Sequence, residues 1–273
     1  MRRFLLNRVP RFVLVLLGLA LFGLARAPLE NPIRDRLVEA NLLLPPPARS
    51  AMEQMGQSAL MGTLGGLRSL VSSYLVLKAF DHFTLKEWEE LKATYGVITA
   101  LEPRDENHWR DVVWHIGINA SANMQIDESI PAFERQRRFN EYTLEAIDLA
   151  EKGLEQNPDS AVIRLQLGEV YREKLDDYCE TARIYGEMMD LPEAPGYAKR
   201  FYGYFLAQCP GKEQEAYDQL RPLYLEEKRQ GKVLTPSLIA WLKDLEKHLD
   251  ISPRERIPEP YPIVPGAPGR NAR

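Results

Sequence analysis

The chain has 273 residues, of which 45% are hydrophobic and 27% charged. That balance excludes a wholly disordered or collagen-like polymer and suffices for one or two domains with a sizeable core. The formal net charge of −4 speaks against a broad basic surface, so no nucleic-acid partner is expected. Two cysteines are too few for a disulfide framework or a four-cysteine zinc site.

Arg2, Arg3, Arg8 and Arg11 precede an uncharged run from Phe12 to Ala25, a basic flank followed by an apolar stretch. As a helix that run spans about 21 Å, short of a ~30 Å hydrocarbon core. The short span and Ala25-Arg26-Ala27 favour a cleaved signal peptide. Pro28 at the would-be first mature position, together with Leu5, Leu6 and snorkelling arginines, favours an uncleaved anchor. Both readings place residues beyond 28 outside the cytoplasm, with the arginines inside. The expectation is an inner-membrane signal-anchor over 1–27 carrying a periplasmic domain; a cleaved, soluble exported form is the alternative. A buried core helix fits poorly, because the run has no polar face. No cysteine follows it, so no lipoprotein anchor is expected.

Residues 28–50 hold Pro28, Pro32 and Pro45-Pro46-Pro47 and read as a semi-rigid linker, with room for one short amphipathic helix through Ile33, Leu37, Val38 and Leu42. From 51 to 250 apolar residues recur at three- and four-residue spacing, and strand-type alternation is absent. The predicted helices are 52–80, 85–101, 106–123, 131–156, 161–174, 177–190, 195–208, 212–229 and 235–249. A break in the first is expected at Gly65-Gly66, since glycine costs about 1 kcal/mol in a helix. The last is a capping helix carrying Leu238, Trp241, Leu242, Leu245 and Leu249. Alternate prolines over 251–273 predict a disordered or polyproline tail.

Prolines set a period. Pro158 and Pro192 stand 34 residues apart. Leu91, Tyr95, Ile98 and Pro103 have the same spacing as Ala146, Ala150, Gly153 and Pro158, and positions spaced four and three share a helix face. Leu167, Gly168 and Tyr171 follow Pro158 at the offsets at which Phe201, Tyr202 and Phe205 follow Pro192. This pattern resembles the tetratricopeptide repeat, a 34-residue helix-turn-helix unit. Trp109 takes its tryptophan position, Leu167, Gly168 and Tyr171 its leucine, glycine and tyrosine, and Ala146, Ala150, Gly153 and Pro158 its second-helix and closing positions. The resemblance covers about 85–233 and implies an all-α, solenoid fold of stacked hairpins in which small residues admit close helix approach. The 55 residues between Pro103 and Pro158 imply an insert, placed around Met124 to Arg138. Later units fit only with small register shifts. The stretch from Leu64-Gly65-Gly66-Leu67 through Ala79, with Leu101-Glu102-Pro103, Trp109, Asn119 and Asn123, is similar to an uncharacterised bacterial group of membrane-anchored repeat proteins.

Several constellations call for a weighing of chemistry against packing. His108, Asp111 and His115 share a helix face but lack the two-histidine, glutamate arrangement of zinc hydrolases, so no metal site is expected. Gly62, Gly65 and Gly66 lack the following Lys-Ser/Thr of a phosphate loop; no cofactor is expected. Asn119-Ala120-Ser121 is a formal glycosylation sequon in a predicted helix, and Asn119 and Asn123 serve either a turn or a groove. Cys179 begins the second helix of one unit and Cys209 ends the first helix of the next. Antiparallel neighbours would bring them within disulfide range, with two buried thiols as the alternative. On the repeat register, Asn107, Arg110 and Trp114 would face a groove, followed by Val162, Leu165, Glu169 and Arg172, then Lys199 and Gly203. That mixture suits an extended peptide.

Two functional readings follow. The first is a membrane-tethered helical-repeat scaffold that binds a protein or peptide without catalysis. The second is an enzyme of cell-envelope polymer metabolism with a site near the helix from Trp109 to His115. Partner identity and oligomeric state stay open at this level.

Overall fold

The computed structural model describes residues 67–258, and among these every regular element is helical. The expected anchor over 1–27, the linker over 28–50 and the start of the first predicted helix lie outside the described residues. No helix among those described is long and apolar enough to cross a membrane. The chain divides into two units at Pro158.

The first unit holds α1 (Arg68–Leu85), α2 (Trp88–Leu101), α3 (Glu106–Trp114), a π-helical segment (His115–Ala120), α4 (Ser121–Ile126) and α5 (Ala132–Gln156). Helix α1 runs five residues past its predicted end. It stops at Lys86, which takes a left-handed backbone (φ 59°) and returns its N–H to the His82 and Phe83 carbonyls; such a C-terminal cap closes a helix that has no proline to end it. Asp105 caps α3, its side chain accepting from Asn107 N at 3.0 Å and so satisfying one orphan donor of the first turn.

The π segment has a cause in the sequence. Trp109, Val113, Gly117 and Ser121 repeat every four residues, as do Val112, Ile116, Ala120 and Met124, and all eight are buried. A 3.6-residue helix would rotate such rows by about 40° per repeat. The wider i→i+5 turn restores them to one face. The insert expected near 124–138 is therefore no separate loop. Residues on both sides of it lengthen the α3–α4 and α5 helices, and only Asp127–Pro131 makes the turn.

Within this unit α3, the π segment and α4 lie along α5, and α1 lies along α2. The α3–α5 approach is set by Gly153: a Cβ there would lie 2.9 Å from Cγ of Trp109. Trp109 is buried, and its Nε1 donates to the Pro103 carbonyl at 2.9 Å. Asn157 Nδ2 donates to the same oxygen, also at 2.9 Å. The residues read as closing one repeat thus converge on the turn that opens it.

The second unit holds α6 (Ala161–Lys174), α7 (Tyr178–Met188), α8 (Ala198–Leu206), α9 (Glu213–Arg229) and α10 (Pro236–His248), each packed on its sequence neighbour. Ser160 and Asp177 cap α6 and α7 by accepting from Ile163 N and Glu180 N, and Pro236 at the first turn of α10 has no N–H to leave unpaired. Leu238, Leu242 and Leu245 of α10 are fully buried, while Trp241 and Leu249 pack half-buried against the same core.

Three expectations change here. Gly203, assigned to the groove, is buried, and a Cβ on it would lie 2.5 Å from Cγ of Leu220 on α9. Gly203, not Tyr202, is thus the close-approach residue of α8; Tyr202 instead lies over Gly186 of α7. Finally, the first part of the predicted disordered tail is packed. Ile257 is 5% exposed, its N–H donates to Glu246 Oε1 at 2.5 Å, and its carbonyl accepts from Lys243. Glu246, buried on the apolar face of α10, is the anchor of that segment.

Cys179, on α7, and Cys209, just past the end of α8, form a disulfide with Cα atoms 5.0 Å apart. It closes a loop spanning 30 positions.

Two outcomes test this packing. Gly203→Ala forces Leu220 out of its position and lowers stability by roughly 1–3 kcal/mol in urea unfolding, whereas Gly196→Ala, which meets no atom within 4 Å, changes it little. Reducing the Cys179–Cys209 bridge costs about 3 kcal/mol in the chain-entropy description, read as a lower melting temperature that Cys179→Ser/Cys209→Ser reproduces.

Candidate partner-binding surfaces

In the first unit Asn107, Arg110 and Trp114 form one row on α3, as their spacing of three and four requires. Arg110 Nη1 donates to Asn107 Oδ1 at 3.0 Å, and its Nε and Nη2 donate to Asp111 Oδ1 at 2.9 and 2.7 Å. The guanidinium is thereby held along the helix with much of its side chain in solvent. Trp114 is 41% exposed. Its indole rests against His115 and Phe83, with ring centroids 5.0 and 6.4 Å away. The row is a rigid indole beside an oriented cation.

His115 opens the π segment and sits among Phe83, Trp114 and Tyr95. Burial pushes its imidazole below the ordinary histidine range, with Asp111 offsetting part of this. Its Nδ1 is buried without a hydrogen-bond partner, so the neutral ring serves as an aromatic packing group. Asn123 accepts from Trp88 Nε1 at 3.2 Å, and Asn119 Nδ2 reaches the Trp114 carbonyl at 3.4 Å. Both asparagines thus have structural bonds.

His108 belongs to a different cluster from His115. Its Nε2 lies 3.1 Å from Glu102 Oε2, 3.3 Å from Ser72 Oγ and 3.6 Å from Asp105 Oδ2. Ser69 Oγ donates to Glu102 Oε1 at 2.6 Å. Burial alone would raise the Glu102 carboxyl, but hydrogen bonds from Ser69, Ser72 and His108 outweigh it and hold it below the usual value. Glu102, Asp105 and His108 are the described residues whose donor atoms would suit a divalent cation. Both carboxylates and the Ser72 hydroxyl converge on one imidazole nitrogen, so the set is not a nucleophile–base–carboxylate relay. Its evident work is to tie α1 to the α2–α3 turn.

An open cleft of about 600 Å³ lies between α2 and α5, lined by Glu89, Lys92, Arg138, Tyr142 and Glu145 among others. Its charges are compensated internally: Lys92 Nζ lies 2.7 Å from both Glu89 and Glu145. Burial and Glu89 push the Tyr142 hydroxyl up to about 12.

In the second unit Glu169 and Arg172 lie one turn apart on α6. Burial, reinforced by Glu173, raises the Glu169 carboxyl above its ordinary value, against the pull of Arg172. Arg172 of the α6 pair bonds Glu173 at 2.7 Å, whereas Lys199 lies on α8 and pairs with Asp190 at 2.8 Å. Leu167 and Gly168 are buried, and Tyr171 is half-buried. Gly168 faces Tyr185 and Ile184 of α7; Ala146, Ala150 and Gly153 are fully buried on α5.

Sequence reasoning missed an aromatic ladder in this unit. Phe201 centres it, 4.7 Å from Tyr197, 5.8 Å from Tyr185 and 5.8 Å from Tyr204. Tyr204 in turn stacks on Trp241 at 5.6 Å. Tyr197, Phe201 and Trp241 are half-buried, so part of each ring meets solvent. The spacing of 197, 201 and 204 was the available signal; only pairing with α10 identifies Trp241 as its end.

No known protein family matches the chain, and no curated protein is similar to it.

The Glu102 cluster gives a pH-dependent outcome. Because the folded carboxyl titrates below its usual 4.5, its stabilisation is present above that value and disappears as pH falls through the folded pKa. Glu102→Gln lowers stability by about 1–2 kcal/mol at pH 7, and the gap to the unaltered protein closes below pH 4.5 in urea titrations.

Proposed function

We propose that this chain is a helical-repeat scaffold of the tetratricopeptide-like, α-solenoid kind, tethered to the membrane by its amino-terminal segment and working outside the cytoplasm, where it binds a protein or peptide and performs no catalysis. The observation that carries the reading is the row Asn107–Arg110–Trp114, a solvent-facing tryptophan beside an oriented guanidinium that the core does not need. Tryptophan and arginine are the side chains that most often dominate binding energy at protein interfaces. Taken by itself, the second unit presents half-open rings of Tyr197, Phe201 and Trp241, apolar footholds of the kind a peptide's side chains use.

The location is supported by the Cys179–Cys209 bridge, since such bonds persist in oxidising compartments and are rare in the cytosol. It is also supported by the basic, then apolar, run over residues 2–25. The repeat reading is supported by the close approaches of Trp109 with Gly153 and of Gly203 with Leu220, which are what a small-residue repeat pattern serves.

The test is capture from detergent-solubilised membranes with the full chain as bait, followed by direct binding of the captured protein. Arg110→Glu and Trp114→Ala are each expected to weaken that binding by about tenfold or more, with the circular-dichroism melt unchanged. Binding that is indifferent to both substitutions would sink the assignment of this row.

A further inference from the structure

The turn from α2 into α3 gathers ligand-type side chains. Glu102 closes α2, Asp105 caps α3 and His108 lies in the first turn of α3. The spacing Glu-x2-Asp-x2-His brings one donor atom of each within 4.8 Å of the others. Each carboxylate is divided between two tasks. Glu102 Oε1 accepts from Ser69 Oγ at 2.6 Å, and Asp105 Oδ1 accepts from the backbone and side chain of Asn107 at 3.0 and 3.1 Å. The second oxygen of each turns to His108 Nε2, 3.1 Å away for Glu102 and 3.6 Å for Asp105. Helix α1 adds the Oγ of fully buried Ser72, 3.3 Å from the same nitrogen. An imidazole nitrogen carries at most one hydrogen, so a single proton faces three oxygens.

We propose that Glu102, Asp105 and His108, with the Ser72 hydroxyl beside them, form a binding site for one divalent transition-metal cation, zinc being the best fit. A zinc ion bonded to imidazole and carboxylates at about 2.1 Å holds neighbouring donors about 3.4 Å apart in a tetrahedron. The three separations from His108 Nε2, 3.1, 3.3 and 3.6 Å, bracket that edge. One ion replaces the single proton and bonds every group at once. Its double charge balances the two carboxylates around a neutral imidazole. The bonds from Ser69 and Asn107 are of the kind that orient carboxylate ligands from outside the coordination shell. The fourth corner falls to the Ser72 hydroxyl or to a water that it holds.

The donor set also selects the ion. Calcium and magnesium take oxygen ligands, whereas imidazole suits zinc and its neighbours. The side chains of His108, Glu102 and Asp105 are 14%, 17% and 30% exposed, which leaves an entry on the Asp105 side and shields the rest. This set is not the helix-face trio of His108, Asp111 and His115: Asp111 is engaged by Arg110, and His115 is packed among aromatic rings. A bound ion would pin α1, the end of α2 and the start of α3 at one point. The inference does not depend on the scaffold reading or on the row along α3.

The experiment titrates zinc chloride into the full chain, purified in detergent and stripped with EDTA, and follows calorimetry and thermal melts. One ion per chain is expected, with a melting temperature that zinc raises and EDTA returns. Glu102→Gln retains an acceptor for Ser69, and Asp105→Asn retains a good helix cap, so both variants fold. Each is expected to weaken zinc binding by about tenfold or more and to remove most of the zinc-induced rise, whatever its own melting temperature without zinc. His82→Gln, which removes the imidazole paired with Glu87 at 2.6 Å, and His248→Gln are expected to leave both readouts unchanged. Three results overturn the inference: no zinc binding, binding untouched by Glu102→Gln and Asp105→Asn, or binding lost with His82 or His248, which would make the ion adventitious at another histidine.

Discussion

Close approach of helices through glycine is the constraint on which this structure rests. At Gly153 and at Gly203 there is no room for a single additional carbon beside Trp109 and Leu220. Packing at that density is unforgiving of volume change, so these pairs fix which helix lies on which and at what depth. The buried rows of α3 and α5, and of α8 and α9, follow from those two contacts. The π segment is a consequence of the same demand. At an undistorted 3.6-residue turn the buried row from Trp109 to Ser121 would drift by about 120° around the helix.

Polar groups in the first unit are largely consumed by this architecture. Glu102 and His108 fasten α1, Asn157 and Trp109 share the Pro103 carbonyl, and Lys92 is neutralised by two carboxylates. Arg110 and Trp114 stand apart because they are oriented without being enclosed. The second unit divides its side chains similarly: Tyr185 and Tyr204 are buried, while Tyr197, Phe201 and Trp241 keep an open edge.

Much of the helical layout was legible, because apolar spacing and proline punctuation report local geometry directly. The pairing of Trp109 with Gly153 could be read from the distance of each to its proline. The pairing of Gly203 with Leu220 could not. Counting from Pro192 assumes a turn of constant length, and the stretch between α7 and α8 is longer than that count allows. The π segment was not foreseen, because a four-residue repeat resembles a drifting α-helical pattern until a wider turn is admitted. Glu246 gave no warning of its role, since a glutamate on a helix is ordinarily solvated and only its contacts with Ile257, Tyr217 and Lys243 explain its burial. The aromatic ladder depends on contacts between helices that no local pattern encodes. The row on α3 was visible in the sequence as a spacing, whereas the bonds that orient Arg110 were not.

Within the second unit each helix packs on its sequence neighbour, so opening can run inward from an end one helix at a time. A covalent link from the start of α7 to the end of α8 changes that behaviour. Opening that begins at α10 can run only as far as the crosslink before two helices must yield together. A pull applied across this segment would then be shared by both helices, giving the second unit the mechanics of a clasp rather than of a zip.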